Sequence, residues 1–398
     1  MEKVIVGLSG GVDSSVAAYL LKQEGYRVEG MFMQNWHDTT GLLAGDCPWE
    51  DDLLIARLVA HKLDIPLHFT DLSGPYYERV VDYMFREYQA GRTPNPDVLC
   101  NREIKFDLFI RETEKLGAGR VATGHYCRKE TIEKDGKTIY RLLAGTDRNK
   151  DQSYFLCQLS QEQLSKVVFP LGQLTKPEVR QIADSMKLAT AFKKDSQGIC
   201  FVGKVDLPTF LQQKLKAREG NVIEIPAGLP QYHERTADKC RQWAEDGSMH
   251  LITRPWTYDP SMGTPVGTHR GAHFFTIGQR KGLNIGGKEQ ALFVIGTDVE
   301  NNVLYVGQGQ DHPGLYRPGL FIPAAEEHWI RPDLALSAGE QAPYLVRIRY
   351  RQPLQQAVLH KTGEGIHILF DKPQRGITPG QFAAWYQEDE LVGSGVIQ

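Results

Sequence analysis

The stretch VIVGLSGGVDSS, residues 4–15, constrains this chain more than any other. An apolar run, Val4 to Leu8, meets Ser9-Gly10-Gly11-Val12-Asp13-Ser14-Ser15. VAAYLLKQEG follows, with Val16, Leu20 and Leu21 on one helical face and Gly25 as a stop. Strand, glycine turn and helix in direct succession make a phosphate-binding arrangement. Small residues let backbone N–H groups approach phosphate oxygens, and the helix N-terminus adds partial positive charge. Ser9, Ser14 and Ser15 can donate further hydrogen bonds, and Asp13 can hold Mg²⁺. The lysine of the common nucleoside-triphosphatase loop is missing, with Ser and Asp where that loop has Gly-Lys. A bare Gly-Gly turn could be mere packing; the full SGGVDSS is harder to dismiss.

The same rhythm continues over the first ~200 residues. RVEGMFM (27–33) reads as a second strand, DDLLIARLVAHKLDI as a helix leading to the strand PLHFTDL, and YYERVVDYMFREYQAG as another helix. A loop rich in Pro and Asn follows, then a helix near FDLFIRETEKLG and a fourth strand in RVATGHY (120–126). This alternation predicts an α/β fold, an open doubly wound parallel sheet covered by helices on both faces. Ligands in such sheets sit beyond the carboxyl ends of the strands, where Ser9 to Ser15, Met33 and Gly124-His125 would lie.

From about Asn221 the helical periodicity fades. HFFTIGQRKGL, ALFVIGTDVENNVLYVG, YLVRIRYR and IHILFD are short, β-branched and separated by Gly, Pro and Asn. They predict a catalytic domain over 1–205, a small central β-rich domain over 206–295 and a C-terminal β-barrel over 296–398. A chain of 398 residues is too long for one ordinary core, in keeping with that division. Residues 226–265 look like an inserted polar excursion. His233, Cys240 and His250 there invite a metal, but their spacing matches no zinc signature, so no protein-held metal is expected.

With 41% hydrophobic and 24% charged residues, the composition is that of a soluble globular protein. A formal charge of −3 argues against an indiscriminate nucleic-acid binder and leaves room for local basic surfaces. Neither a signal peptide nor a run of 18 apolar residues is found, so a cytoplasmic protein with no membrane span is expected. None of the six cysteines pair as CxxC, which leaves a zinc ribbon or thioredoxin motif unsupported. Cys127 and Cys157 read as small buried hydrophobes.

Cys100 and Cys200 stand in more informative surroundings. In GRTPNPDVLCNREIKF (91–106), Pro94 and Pro96 argue against a helix, so TPNPD is expected to be a rigid exposed loop. That loop would present Asp97 and Cys100 together, with Asn101 and Lys105 behind. In FKKDSQGICFVG (192–203), Lys193 and Lys194 lie near Cys200, and Gly198 permits a tight backbone. A thiol in an electropositive, partly exposed loop has a lowered pKa and is reactive. Taken singly, either cysteine is more often structural.

In combination these stretches resemble known families. SGGVDSS is similar to the SGGxDS signature of the PP-loop ATP pyrophosphatases, of the adenine nucleotide α-hydrolase-like fold. That likeness implies that the loop grips the β- and γ-phosphates as a leaving pyrophosphate while a substrate oxygen attacks the α-phosphate. The missing lysine then points to adenylation rather than γ-phosphate transfer. With GRTPNPDVLCN, KDQSYFL (150–156) and DSQGICF (195–201), the chain resembles the tRNA-specific 2-thiouridylase family, the bacterial MnmA type. The likeness runs over most of the chain, through GQRKGL (278–283), DVENNVLYVGQG (298–309) and RIRYRQ (347–352). The excursion at 226–265 is longer than the family leads one to expect.

The resemblance implies ATP-dependent replacement of the C2 oxygen of the wobble uridine by sulfur, in the tRNAs for Lys, Glu and Gln. Carried over by position, Cys200 would bear a persulfide loaded by a cysteine desulfurase or sulfur-relay protein. Cys100 would be the partner nucleophile and Asp97 a general acid/base beside it. ATP with Mg²⁺ would be held by Gly7, Leu8, Ser9, Gly10, Gly11, Val12, Asp13, Ser14 and Met33, with Gly124 closing over the adenosine. The tRNA would be met by Asn95, Pro96, Asp97, His125, Lys150, Asp151, Gln152, Arg349, Tyr350 and Gln381. A uridine must leave the anticodon stack before its C2 can be reached, so a pocket of loops is required.

RIRYR carries its own argument. On a strand, Arg347, Arg349 and Arg351 would share one face and form a phosphate-tracking stripe. A solvated barrel face is the plainer reading of the same charges, and a hydrogen-bonded strand-end imidazole is that of His125. Two other functions compete. A PP-loop ligase or amidotransferase would need an ammonia source and would leave both cysteines idle. A catalytically inactive tRNA-binding protein would not need Asp13, Asp97, Cys100 and Cys200 intact, and cysteine replacement would leave its RNA affinity unchanged.

Overall fold

A computed structural model describes residues 1–36, 49–195 and 207–398. Strands β1 (Lys3–Gly7), β2 (Arg27–Gln34), β3 (Leu67–Asp71) and β4 (Arg120–Ala122) join a two-residue strand, Val167–Val168, in one parallel sheet. The order is β3-β2-β1-β4 and then Val167–Val168. Side chains alternate along β1, so Ile5 enters one core with Tyr76, Val80 and Phe109. Val4 and Val6 enter the other, with Val16 and Leu21 of α1 (Val12–Gln23) and Val59 of α2 (Trp49–Leu63). Burial on both faces explains why these strands read as continuous apolar runs. Gly25, at φ +86°, stops α1, and the Tyr26 N–H returns to the Leu21 carbonyl. The strand order turns about β1, which puts a crevice between the ends of β1 and β4.

The TPNPD stretch corrects the expected exposed loop. Residues 96–115 are helical throughout, as Pro96–Leu99, a π-helical stretch Cys100–Leu108, and Phe109–Lys115. Pro96 takes the first helical position, where its missing N–H costs nothing, and the Asn95 side chain caps the Val98 N–H at 3.3 Å. Pro94 is buried and Asp97 half-buried, and Cys100 is fully enclosed. Rather than sitting in a partly exposed loop, this thiol opens a π-helical segment, a distortion that recurs at functional sites.

Gly220–Glu224, Thr264–His269, Leu292–Asp298 and Val303–Gln308 form a four-stranded sheet. The boundary expected at 296 therefore falls inside the first strand of a hairpin, and the C-terminal run of barrel strands begins at Tyr316. The excursion at 226–265 forms helices Pro230–Glu234, Ala237–Glu245 and Met249–Thr253. The last of these packs on barrel strands Tyr316–Pro323 and Gly365–Arg375.

The C-terminal strands form an antiparallel sheet around Leu320, Val346, Leu359, Ile368, Trp385 and Val392. It curls until the Gln398 N–H meets the Phe321 carbonyl. Two of its nine strands come from the N-terminal half: Cys127–Lys134 and Lys137–Ala144, joined at Asp135-Gly136 with φ of +53° and +71°. Leu142 and Leu143 pair with Leu391 and Glu390, so catalytic and barrel domains share a sheet. Among the described residues no helix is long and apolar enough to cross a membrane.

Candidate active site and RNA interface

Gly7 ends β1, and a Cβ there would lie 3.5 Å from Met33 Cε, so Met33 covers the loop's entry. The Leu8 N–H bonds the Met31 carbonyl. Gly10 has φ +70°, and a Cβ there would meet the Asp52 carbonyl at 2.5 Å. Gly11 caps α1 in extended conformation, and Val12 opens the helix. The hydroxyls of Ser14 and Ser15 donate back to the Gly11 carbonyl at 3.2 and 2.8 Å, while the Ser9 N–H donates to Ser14 Oγ. These bonds hold the loop at the N-terminus of a helix, the geometry that binds phosphate.

Asp13 does not stand open for a metal. Its carboxylate accepts from Tyr126 Oη at 2.7 Å and from Lys176 Nζ at 2.7 and 2.9 Å. Lys176, almost fully buried, opens the helix Lys176–Ser185, which Thr175 and Glu178 cap reciprocally. The cation missing from the loop's own sequence is thus brought in from another helix. Mg²⁺ would have to compete with that ammonium at Asp13.

Lys176 Nζ also meets Asp195 at 2.8 Å, and Lys150 and Arg180 bind the same carboxylate at 2.6 and 2.7 Å. Burial alone would raise the Asp195 pKa, but Lys150 and Lys176 overcome it and hold it at about 2. Lys193 Nζ donates to the Gly10 carbonyl at 3.1 Å and pairs with Asp52. The residues just before the DSQGICF cysteine are therefore fastened to the glycine loop. Cys200 itself, with the rest of 196–206, lies outside the described residues. The chain re-enters at Leu207–Leu211, where Phe210 packs on Trp36 and Phe85. Trp36, Met33, Phe210 and Cys100 belong to one buried cluster.

Gly124 lies against the loop: a Cβ there would come within 2.8 Å of Asp13 C and Ser14 N. Both are backbone atoms at a helix start and cannot yield cheaply. If the loop holds ATP, as its likeness to the SGGxDS signature implies, Gly124→Ala should displace the loop and lower kcat/KM for ATP by about 10- to 100-fold, with any tRNA affinity retained. Steady-state AMP formation checks this; an unchanged value would mean that the loop can give way at no cost.

The residues expected at the RNA divide into two groups. His125 is a core imidazole, bonded to Thr123 Oγ1 at 2.7 Å and packed between Phe106 and Phe169. Burial and the Lys105 charge push its pKa well down, so it stays neutral. Asp151 is likewise buried, accepting from the Gly145 and Ser153 N–H groups and from Arg347 Nη2 at 2.6 Å. Gln152 accepts from the Tyr126 N–H, and Lys150 is held by Asp195. The arginine stripe does not form. The strand Gln341–Arg347 ends at its first member: Arg347 is buried against Asp151 and Tyr386, and of the two exposed arginines beyond it Arg349 donates to the Arg375 carbonyl.

Asn95, Pro96 and Gln381 do come together. Gln381 Nε2 donates to the Thr93 and Pro94 carbonyls at 2.9 and 3.0 Å, and Asn95 Nδ2 reaches Gln381 Oε1 at 3.5 Å. The barrel thereby holds the segment that leads into the Cys100 helix. Tyr350 packs on Phe155 with tilted rings 4.4 Å apart, and the Phe155 carbonyl accepts from Asn101 Nδ2, next to Cys100. Sequence reading missed Tyr126, Lys176, Arg180 and Asp52. The capping box at Thr175 is a legible helix start, but nothing in it foretells the contact with Asp13.

Comparison with known proteins agrees with this architecture. A family model described as the tRNA methyl transferase HUP domain matches residues 2–204. The tRNA methyl transferase PRC-barrel domain matches 257–308, and the aminomethyltransferase β-barrel domain matches 322–397. The tRNA-specific 2-thiouridylase MnmA of Christiangramia forsetii is 60% identical over 397 residues, covering all of both chains. That of Flavobacterium johnsoniae is 58% identical with the same coverage, and that of Pseudomonas fluorescens 44% identical over all of this chain and 95% of its own. The long excursion is therefore spanned by full-length matches. With these identities across its whole length, the chain belongs to the tRNA-specific 2-thiouridylase family.

Proposed function

We propose that this protein is an ATP-dependent tRNA-uridine 2-sulfurtransferase acting on the wobble uridine of the tRNAs for Lys, Glu and Gln in the cytoplasm. The observation that carries the reading is the fastening of Lys193 and Asp195, which lead into the Cys200 segment, onto the adenylating glycine loop. An amide-like carbonyl is a poor electrophile. ATP, entering with Mg²⁺, supplies the activation: the uridine O2 attacks the α-phosphorus, pyrophosphate departs, and C2 carries AMP as a leaving group. Ser9 to Ser14 bind the phosphates, with Lys176 beside them offsetting charge on the departing pyrophosphate.

Cys200, loaded as a persulfide by a desulfurase or sulfur-relay protein, then attacks C2 through its terminal sulfur and expels AMP. Cys100 attacks Sγ of Cys200, the S–S bond to the transferred sulfur breaks, and that sulfur stays on C2 as the thiocarbonyl. Asp97, one turn before Cys100, takes the thiol proton. A Cys100–Cys200 disulfide remains, and an external dithiol returns it to two thiols. Asn95 and Gln381 are suited to receive the flipped base, and Arg351 to meet a phosphate.

The test is mass spectrometry of nucleosides from tRNA incubated with protein, ATP-Mg²⁺ and a desulfurase-supplied persulfide, with Cys100→Ser and Cys200→Ser in parallel. 2-Thiouridine is expected only with ATP and both cysteines, with each replacement lowering its rate by at least about 10³-fold. A Cys200→Ser protein as active as wild type would sink the persulfide role. AMP without any thiolated base would keep the adenylation and reject the acceptor.

A further inference from the structure

A cavity of about 440 Å³ lies where the three parts of the chain meet. The Gly91–Thr93 turn of the catalytic domain forms one wall, the central sheet's 295–298 another, and the barrel's 377–379 a third. The excursion supplies a fourth through Pro255 to Tyr258. Much of the lining is apolar or aromatic, including Trp256, Tyr258 and Tyr305.

Arg317 lines this cavity and is only 4% exposed. Its Nη2 donates to the Thr253 carbonyl, but Nε and Nη1 have no hydrogen-bond partner, and no carboxylate pairs with it among the described residues. The hydroxyl of Tyr305 is likewise buried without a partner. The cavity's other charged side chains are committed elsewhere. Arg92 is paired with Glu87, and the Asp298 carboxylate accepts from the Asn301 N–H at 2.9 Å and its side-chain amide at 2.8 Å.

Burying a guanidinium without a counter-charge costs several kcal/mol, and native proteins rarely leave one so. A neighbouring charge makes the imbalance worse. Arg235, stacked over Trp256 at 4.0 Å, bonds the Ile252 and Arg254 carbonyls and no carboxylate among the described residues. Burial, and then Arg235, push the Arg317 pKa down to about 9. The Arg317 end of the cavity is cationic and its lining partly apolar, which is the character of a small-molecule anion site.

We propose that this junction is a binding site for a small phosphate-class oxyanion, held by Arg317 and closed by the 255–258 stretch of the excursion. The ligand is a free small anion, because three domains and the excursion wall the space and a polynucleotide would have to part them. Its occupancy would brace the Gly91–Thr93 turn, which Gln381 and the barrel hold on its way to Cys100. This gives the excursion a role that does not depend on the reaction proposed above.

Isothermal titration of the nucleotide-free full-length protein with inorganic phosphate, in chloride buffer, tests this. Wild type should show a phosphate site that Arg317→Met weakens at least tenfold, while any phosphate held by the glycine loop is unchanged. Equal binding by wild type and variant would overturn the proposal. Hydrogen exchange on wild type alone removes dependence on the variant's folding: phosphate should slow exchange at 255–258 and 314–317. Protection confined to residues 9–15 would equally reject the site.

Discussion

Lys176→Met is expected to cut ATP-dependent AMP formation by about 10²- to 10³-fold while leaving tRNA affinity within about twofold of wild type. The ammonium touches both oxygens of Asp13 and one of Asp195, so one cation serves two carboxylates at the mouth of the glycine loop. Removing it leaves those carboxylates facing the position that the triphosphate must occupy. Repulsion then acts against binding and, in the proposed reaction, more strongly against the charge that builds on the departing pyrophosphate. Loss of stability should be smaller than the loss of rate. Asp195 keeps Lys150 and Arg180, and Asp13, about one-third exposed, is screened by water. Lys176→Arg keeps the charge but not the compact donor, and should fall between the two. Pyrophosphate release, measured with saturating tRNA, separates the outcomes. A wild-type rate in Lys176→Met would mean that this lysine only ties the 193–195 stem in place.

The same residue shows where sequence reading stops. The glycine loop was legible because its strand, turn and helix are contiguous, and local spacing carries the whole signal. Ser9 to Ser15 are arranged as that spacing implies. The cation opposite Asp13 comes from 163 residues away and has no local signature. The Cys127–Ala144 hairpin behaves likewise. Its Asp-Gly turn is visible in the sequence, but its partner strand, Glu390–Val396, lies about 250 residues on, so its place in the barrel sheet is not. TPNPD was misjudged for a different reason. Two prolines exclude a helix interior, yet the second is well suited to the first helical position, and Asn95 before it is a capping residue. His125 and Asp151 were legible as polar residues near the site but not as buried ones. Burial is set by Phe106 and Phe169 for the first and by Arg347 for the second.

Arg347 is where the two readings differ most in consequence. If it belonged to an exposed stripe, Arg347→Met would leave stability within about 0.5 kcal/mol of wild type and reduce the salt dependence of tRNA binding by about one counterion. The structure gives the opposite expectation. Arg347 and Asp151 are 9% and 6% exposed, 2.6 Å apart, and the guanidinium also meets Tyr386 Oη and Ser153 Oγ. Breaking a buried pair from one side strands the other charge and costs about 3–5 kcal/mol. Arg347→Met and Asp151→Leu should therefore each destabilise the protein by about that much in urea unfolding, with the salt slope unchanged. The double variant should lose less than the sum, because neither charge is then stranded. Arg351→Ala is the control: exposed and free of that network, it should lower tRNA affinity and take about one unit from the salt slope without moving the unfolding midpoint. Additive losses in the double variant would mean that the two side chains do not act as a pair. Since Ser153 and Phe155 stand between Arg347 and the Asn101 amide, a broken pair should also reach the chemistry, lowering kcat for thiolation more than KM for tRNA.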